Sequence, residues 1–305
     1  MKRIAVSIGD MNGVGPAIAL MMHREISELC HPIYCVDRKM IEKAAELLGV
    51  EVPEDFTMEE LGVSFDVQPG VVDGGSGRYS HRSFDKAIEL TRSRECDALV
   101  TLPIHKEAWS LGGISYKGHT DMLRDVFDEP AIMALGKEGF FVALFTEHIP
   151  YRDVPGKITL SCVSRFLENL YRCMPEERVG VLGLNPHAGD GGVLGSEETI
   201  IAQAIGAAND IIGREVFEGP LVPDTAFTPH MRERYRLFVA MYHDQGLAPL
   251  KALYFDESIN VSLNLPIIRT SVDHGTAFDI AYRKDVKPSM KSYLNAVKAA
   301  LRLAE

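Results

Sequence analysis

Short apolar runs alternate with segments of helical spacing along the whole chain. Ile4 to Ile8 is a buried-strand run and leads into helical spacing from about Gly15 to Leu29; Pro32 to Val36 reads as a second strand. Phe84, Ala87, Ile88 and Leu90 share one face of a helix over Ser83 to Arg94, followed by the strand run Ala98 to Leu102. Leu160, Val163, Phe166, Leu167 and Leu170 mark a helix over Ile158 to Tyr171. Three further strand runs are Phe140 to Phe145, Val179 to Leu184 and Leu237 to Tyr242. Ser196 caps a helix to about Ile212, and Glu198, one position short of a capping box, adds little to that cap. The last helix starts near Ser289, with Tyr293, Leu294, Val297 and Leu301 inward. Such alternation predicts an α/β fold around a largely parallel sheet. Val72 to Arg82, with Asp-Gly-Gly-Ser-Gly-Arg, reads as a mobile surface loop.

Composition narrows the field. The 305 residues suffice for two modest domains or one large one, and 46% hydrophobic with 25% charged residues is ordinary for a globular chain. A formal charge of −11 argues against general affinity for nucleic acid or anionic membrane. Any anionic substrate must therefore be held by local cations. The opening apolar run is too short for a signal peptide, and no run is long enough to span a membrane. Five cysteines, with no C-x-x-C spacing, fit reduced thiols in a cytoplasmic protein, several of them in the core.

Candidate chemistry sits where strands end. Three strand runs are each followed by a histidine near Gly or Pro: His148 in Glu147-His148-Ile149-Pro150, His187 in Asn185-Pro186-His187-Ala188-Gly189, and His243 in Tyr242-His243-Asp244-Gln245-Gly246. Carboxyl ends of parallel strands share one edge, where ligands bind. Three imidazoles there suit one divalent ion with an open position for substrate. A histidine after a strand is equally an ordinary polar turn residue, and spacing alone leaves the two readings balanced.

The turn Gly9-Asp10-Met11-Asn12-Gly13-Val14-Gly15-Pro16 mimics a dinucleotide fingerprint, with Asp37 placed 22 residues beyond Gly15. The third glycine is missing, since Ile18 stands there, so a plain strand-to-helix turn explains the segment better.

Taken in order, the motifs resemble the 4-hydroxythreonine-4-phosphate dehydrogenase family of vitamin B6 biosynthesis over nearly the whole chain. They are the Gly-Asp-x-x-Gly-x-Gly-Pro opening, Leu102-Pro103-Ile104-His105-Lys106, Gly118-His119-Thr120-Asp121, the three histidine motifs, and Arg269-Thr270-Ser271-Val272-Asp273-His274-Gly275-Thr276-Ala277. One departure is Gly-Asp-Met-Asn-Gly where the family usually has Gly-Asp-Pro-Ala-Gly.

The resemblance implies a fold like that of isocitrate and isopropylmalate dehydrogenases. It would comprise two α/β/α subdomains, residues 1–117 plus 277–305 and residues 118–276, with the active site in the cleft between them. It implies His148, His187 and His243 as ligands of one divalent metal (zinc, magnesium or cobalt). It implies His119, Thr120, Lys251, Asn260 and Arg269 as substrate contacts, and NAD or NADP near His274, Gly275, Thr276 and Asp279. Asp244 and Lys251 are the catalytic candidates, although a carboxylate that orients a ligand imidazole is the slightly favoured role for Asp244. Lys106 and Asp273 are weaker candidates. The implied reaction oxidises 4-phosphooxy-L-threonine at its C3 hydroxyl and then decarboxylates the product to 3-amino-2-oxopropyl phosphate. It runs in a homodimer with the site at the subunit interface. Rival readings are a dehydrogenase of 4-phospho-threonate or 4-phospho-erythronate, a three-histidine zinc hydrolase, and a non-catalytic sensor.

Overall fold

The computed structural model describes residues 1–286 and 288–304, which form two compact units. Among these residues unit 1 takes 1–129, 259–261 and those described from 265 onward, and unit 2 takes 130–258 and 262–264.

Unit 1 opens with β1 (Arg3–Ser7), α1 (Gly15–Ser27), β2 (His31–Cys35), α2 (Arg38–Leu48) and β3 (Met58–Glu59). It continues with α3 (Gly74–Arg92), β4 (Ala98–Thr101), α4 (Lys106–Leu111) and α5 (His119–Phe127). Unit 2 holds β5 (Ile132–Lys137), β6 (Phe140–Leu144), α6 (Leu160–Cys173), β7 (Val179–Leu182) and α7 (Glu197–Ile212). Then follow β8 (Phe217–Leu221), α8 (Pro229–Arg234), β9 (Leu237–Ala240) and α9 (His243–Tyr254). The strand β10 (Ile259–Leu263) leads back to β11 (Arg269–Val272) and α10 (Lys291–Leu303) in unit 1.

Strand order in unit 1 is β3-β2-β1-β4-β11-β10, and in unit 2 it is β5-β6-β9-β7-β8. The pairings β1–β2, β1–β4, β4–β11, β6–β9 and β7–β9 are all parallel, while β5–β6 is an antiparallel hairpin. Parallel strands covered on both faces must be apolar along their length. β4 (Ala98, Leu99, Val100) and β9 (Leu237 to Ala240) are accordingly buried throughout. The predicted faces of α3 and α10 are buried at Phe84, Ala87, Ile88, Leu90, Tyr293 and Val297. In α6, Val163, Leu167 and Leu170 are buried, whereas Leu160, expected inward, is exposed at the first turn. Cys30, Cys35 and Cys96 are core thiols, and all five cysteines are free. Among the described residues no helix is long and apolar enough to cross a membrane.

Two further expectations give way. The stretch from 72 to 82 is no loop, because α3 begins at Gly74. The Asp73 side chain caps it by accepting from the Ser76 amide at 2.9 Å. Its glycines serve packing: a Cβ on Gly77 would lie 1.9 Å from the Ala108 carbonyl oxygen, so only glycine lets α3 meet α4. Glycines at a helix–helix contact look like loop composition in a sequence. The expected breaks after residues 117 and 276 also shift, to after 129 and to the β10 region. α5 stays with unit 1 because the His119 ring packs edge-on against Phe84 (4.5 Å) and Trp109 (5.7 Å). β11 stays there because it pairs with β4.

Candidate functional site

In unit 1 the loops after β1, β4 and β11 meet at the carboxyl edge of parallel strands. The Asp10 amide donates to the Pro103 carbonyl at 2.8 Å, and the Val14 amide to the Thr276 carbonyl at 3.0 Å. The His105 ring stacks on Phe278 at 4.9 Å. The fingerprint-like turn is thus filled by protein. A Cβ on Gly13 would meet the Thr276 carbonyl at 2.8 Å, and one on Gly15 the Ile8 carbonyl at 2.4 Å. Asp37 is occupied too: its carboxylate accepts from the Leu61 and Gly62 amides and from the Tyr79 hydroxyl. These contacts explain the glycines and the acid without any pyrophosphate or ribose. Around Gly275, by contrast, no atom would touch a Cβ, so this loop faces open space.

The sequence-predicted anion contacts of unit 1 have the signature of a ligand site. Arg269 is buried, a cation of a kind almost never fully buried without function or partner. Its Nη2 donates to Thr101 Oγ1 at 2.7 Å. Burial lowers its pKa from the ordinary value, yet at pH 7 it stays charged. His119 and Thr120 open α5 and are buried. Burial first, then the positive charges of Arg269 and Lys106, hold His119 well below the usual imidazole range, so it is neutral. Among the described residues, the buried polar atoms of this unit without a hydrogen-bond partner include Tyr293 Oη, on the core face of α10, and His119 Nε2, Asn260 Oδ1 and His274 Nε2. Buried polar groups without partners are uncommon and each costs roughly 1–3 kcal/mol. His119, Asn260 and His274 are residues matched on sequence to substrate or cofactor contacts. Thr276 is buried and Asp279 exposed, and neither shows a partnerless buried atom.

Asp10 was not singled out by sequence. Its carboxylate accepts from the Asn12 amide (2.9 Å) and Ser76 Oγ (3.1 Å), and burial raises its pKa to about 6. The sign follows from the buried charge. Above about pH 6 the native state carries an ionised carboxylate that burial disfavours; below about pH 3.8 both folded and unfolded states are protonated and the penalty is gone. Stability attributable to this group therefore falls as pH rises from 3.8 to 6. Asp10→Asn, which keeps an acceptor for Asn12, is expected to raise Tm by a few degrees at pH 8 and to leave it unchanged near pH 3.5. Thermal melts at the two pH values check this; equal shifts at both would refute a charge-borne effect.

In unit 2 the three histidines leave adjacent strands in order. His148 follows β6, His243 follows the central β9, and His187 follows β7. Because these strands run parallel, all three emerge on one edge. The rings of His148 and His243 lie 5.4 Å apart. Asp244 accepts from His243 Nδ1 at 2.8 Å, which fixes that proton and leaves the Nε2 lone pair for a ligand. The Asp244 side chain is itself 85% exposed. His187 sits on an exposed turn and is not drawn in. Among the described residues no three His, Cys, Asp or Glu side chains gather closely enough to hold an ion. The donor set suits a divalent ion, with two imidazoles paired and the third on the same edge.

The turn carrying His187 is unusual. His187, Ala188, Gly189, Asp190 and Gly191 all have positive φ, from 43° to 78°. For L-residues the left-handed region costs roughly 1–2 kcal/mol each. Gln245, overlooked in the sequence, ties this edge together. Its Oε1 accepts from the Met241 amide and its Nε2 donates to the Gly183 carbonyl, both at 2.7 Å, linking the ends of β9 and β7. Its place two residues after His243 was the available signal. Lys251 lies farther along α9, half-buried, with Nζ 5.9 Å from the Phe255 ring centre.

The family model described as pyridoxal phosphate biosynthetic protein PdxA matches residues 28–300. The chain belongs to the PdxA family. A relative from Sulfurimonas denitrificans, named 4-hydroxythreonine-4-phosphate dehydrogenase, is 59% identical over 99% of this chain and 98% of its own. One of the same name from Campylobacter fetus is 51% identical over 100% and 99%. The crystal structure of 4-hydroxythreonine-4-phosphate dehydrogenase from Klebsiella pneumoniae superposes with a TM-score of 0.82 at 31% identity, covering 100% of both chains. PdxA membership agrees with the α/β fold.

Proposed function

We propose that this chain is an NAD(P)-linked 4-hydroxythreonine-4-phosphate dehydrogenase working in the cytoplasm. It oxidises 4-phosphooxy-L-threonine and releases CO2 and 3-amino-2-oxopropyl phosphate. The observation that carries the reading is the coincidence in unit 1. The partnerless buried atoms of His119, Asn260 and His274 and the buried cation Arg269 fall on residues matched to family contacts. A hydrolase has no use for a dinucleotide contact at the His274 loop.

The chain's residues divide the work. Arg269, with the Thr120 hydroxyl and the first-turn amides of α5, holds an anionic end of the substrate; neutral His119 adds a hydrogen bond without adding charge. Asn260 offers its Oδ1 to a substrate donor, and Lys251 adds a second cation. His274, Gly275, Thr276 and Asp279 contact the dinucleotide. His148, His187 and His243 hold a divalent ion, with Asp244 keeping His243 in the binding tautomer. When bound, that ion supplies a positive charge that favours ionisation of the C3 hydroxyl and then polarises the ketone. A bound nicotinamide would supply the hydride acceptor, and the part of His274, Gly275, Thr276 and Asp279 would be to align it with the substrate. A second copy of the chain completes the site in a homodimer.

The test is NAD(P)H formation from 4-phosphooxy-L-threonine, 4-phospho-threonate, 4-phospho-erythronate and unphosphorylated 4-hydroxythreonine, with and without chelator. The first is expected to be turned over best, by a chelator-sensitive activity, and the last poorly. Equal turnover with and without the phosphate would sink the assignment. Preference for a phosphorylated sugar acid would move it to the related dehydrogenases.

A further inference from the structure

Glu198 lies in the first turn of α7, buried, beneath the turn that carries His187. Its Oε1 accepts from the backbone amides of Leu184 (2.9 Å) and Asn185 (2.7 Å), and its Oε2 from Asn185 Nδ2 (3.0 Å). Glu197 Oε2 takes another hydrogen from the same Asn185 Nδ2 at 2.8 Å. One carboxylate thus fixes Leu184 and Asn185, the middle two of the four residues that join β7 to the left-handed turn. The turn closes back on itself through the Leu194 amide, which donates to the Gly189 carbonyl at 3.0 Å. A Cβ on Gly189 would lie 2.6 Å from Glu198 Oε2, so carboxylate and turn are packed against each other.

We propose that Glu198 is a positioning residue for the metal centre, aiming the His187 imidazole by clamping Leu184 and Asn185. It touches neither ion nor substrate. The need for such a clamp comes from the backbone itself. Six successive residues, His187 to Gly192, have positive φ, and three of them, His187, Ala188 and Asp190, are not glycine, so the conformation must be imposed by neighbours. Among the side chains bonded to residues 184 and 185, Glu198 alone reaches both backbone amides. This assignment rests on the three-histidine reading.

The experiment measures binding of zinc and cobalt ions to the full chain by calorimetry. It uses wild type, Glu198→Ala and Glu198→Gln, with circular dichroism and Tm recorded for each. A buried substitution elsewhere on α7, Ala204→Gly, serves as a stability-matched control. Orienting partners of metal ligands are worth roughly tenfold to a hundredfold in affinity. Glu198→Ala is expected to weaken binding by that factor while Ala204→Gly, at a similar loss of Tm, binds as wild type does. Glu198→Gln keeps an acceptor for the two amides and is expected to fall between Ala and wild type. A Glu198→Ala chain that folds and binds with wild-type affinity overturns the proposal. Should that variant not fold, Glu198→Gln decides, and unchanged affinity there overturns it equally. A wild type that binds no ion removes the three-histidine reading and this assignment together, whereas equal binding by wild type and variant removes this assignment alone.

Discussion

Replacing Arg269 with methionine is expected to cut kcat/KM about a hundredfold while the protein remains folded. The wild-type side chain is buried, and desolvation lowers its pKa, so the fold holds a cation where water would hold it more cheaply. Such an arrangement is repaid when an anion enters, because a charge-assisted contact in a dry site is worth roughly 1.5–3 kcal/mol. That range corresponds to about tenfold to a hundredfold in kcat/KM, and burial favours the upper end. Methionine approximates the volume of the arginine stem. It gives up hydrogen bonds, the one to Thr101 among them, but also relieves the fold of a buried charge. Tm is therefore expected to move by no more than a few degrees. The loss falls on KM if Arg269 grips substrate and transition state alike. Inorganic phosphate should raise the Tm of wild type and not of the variant. Steady-state kinetics and thermal melts with and without phosphate check the prediction. An unchanged kcat/KM, or a phosphate-induced shift retained in the variant, would remove Arg269 from anion recognition.

The parts legible in the sequence were those with strong periodicity or composition. Buried parallel strands such as β4 and β9 are short apolar runs, and the α3 and α10 faces follow helical spacing, so both could be read directly. The histidines were legible because each follows a strand run, and parallel topology then puts them on one edge. What stayed hidden depended on partners distant in sequence. The start of α3 is glycine-rich because α4 presses on it, and no local signal separates that from a loop. The unit boundary escaped for the same reason, since α5 is claimed by Trp109 on α4 and by Phe84 on the more distant α3. Glu198 and Gln245 bond to backbone amides and carbonyls, which carry no identity in a sequence. Asp10 sat in a motif whose glycines drew attention to a phosphate cradle. Its own role, a carboxylate accepting from Asn12 and Ser76 in a buried corner, is visible only once α3 is folded against it.

His243→Ala is expected to have the largest effect of any single change, abolishing specific binding of the divalent ion and lowering turnover at least a thousandfold. His243 is the central member of the set, because β9 lies between β6 and β7 and its imidazole already faces that of His148 at 5.4 Å. Deleting an outer ligand leaves a neighbouring pair, whereas deleting the middle one leaves two donors on strands that do not touch. An ion that stabilises a developing alkoxide contributes several kcal/mol, and each 1.36 kcal/mol is a factor of ten in rate. Metal content by elemental analysis and turnover with saturating cofactor check both halves. Full metal content in the His243→Ala protein would eliminate the site. Asp244→Asn separates the two roles open to that carboxylate. If Asp244 only holds the Nδ1 proton of His243, the variant loses roughly tenfold to a hundredfold in metal affinity and recovers most of its turnover at high metal concentration. If it is instead the base that takes the hydroxyl proton, metal affinity stays near wild type and kcat collapses. With its side chain 85% exposed and its oxygen committed to His243 at 2.8 Å, the first outcome is the expected one.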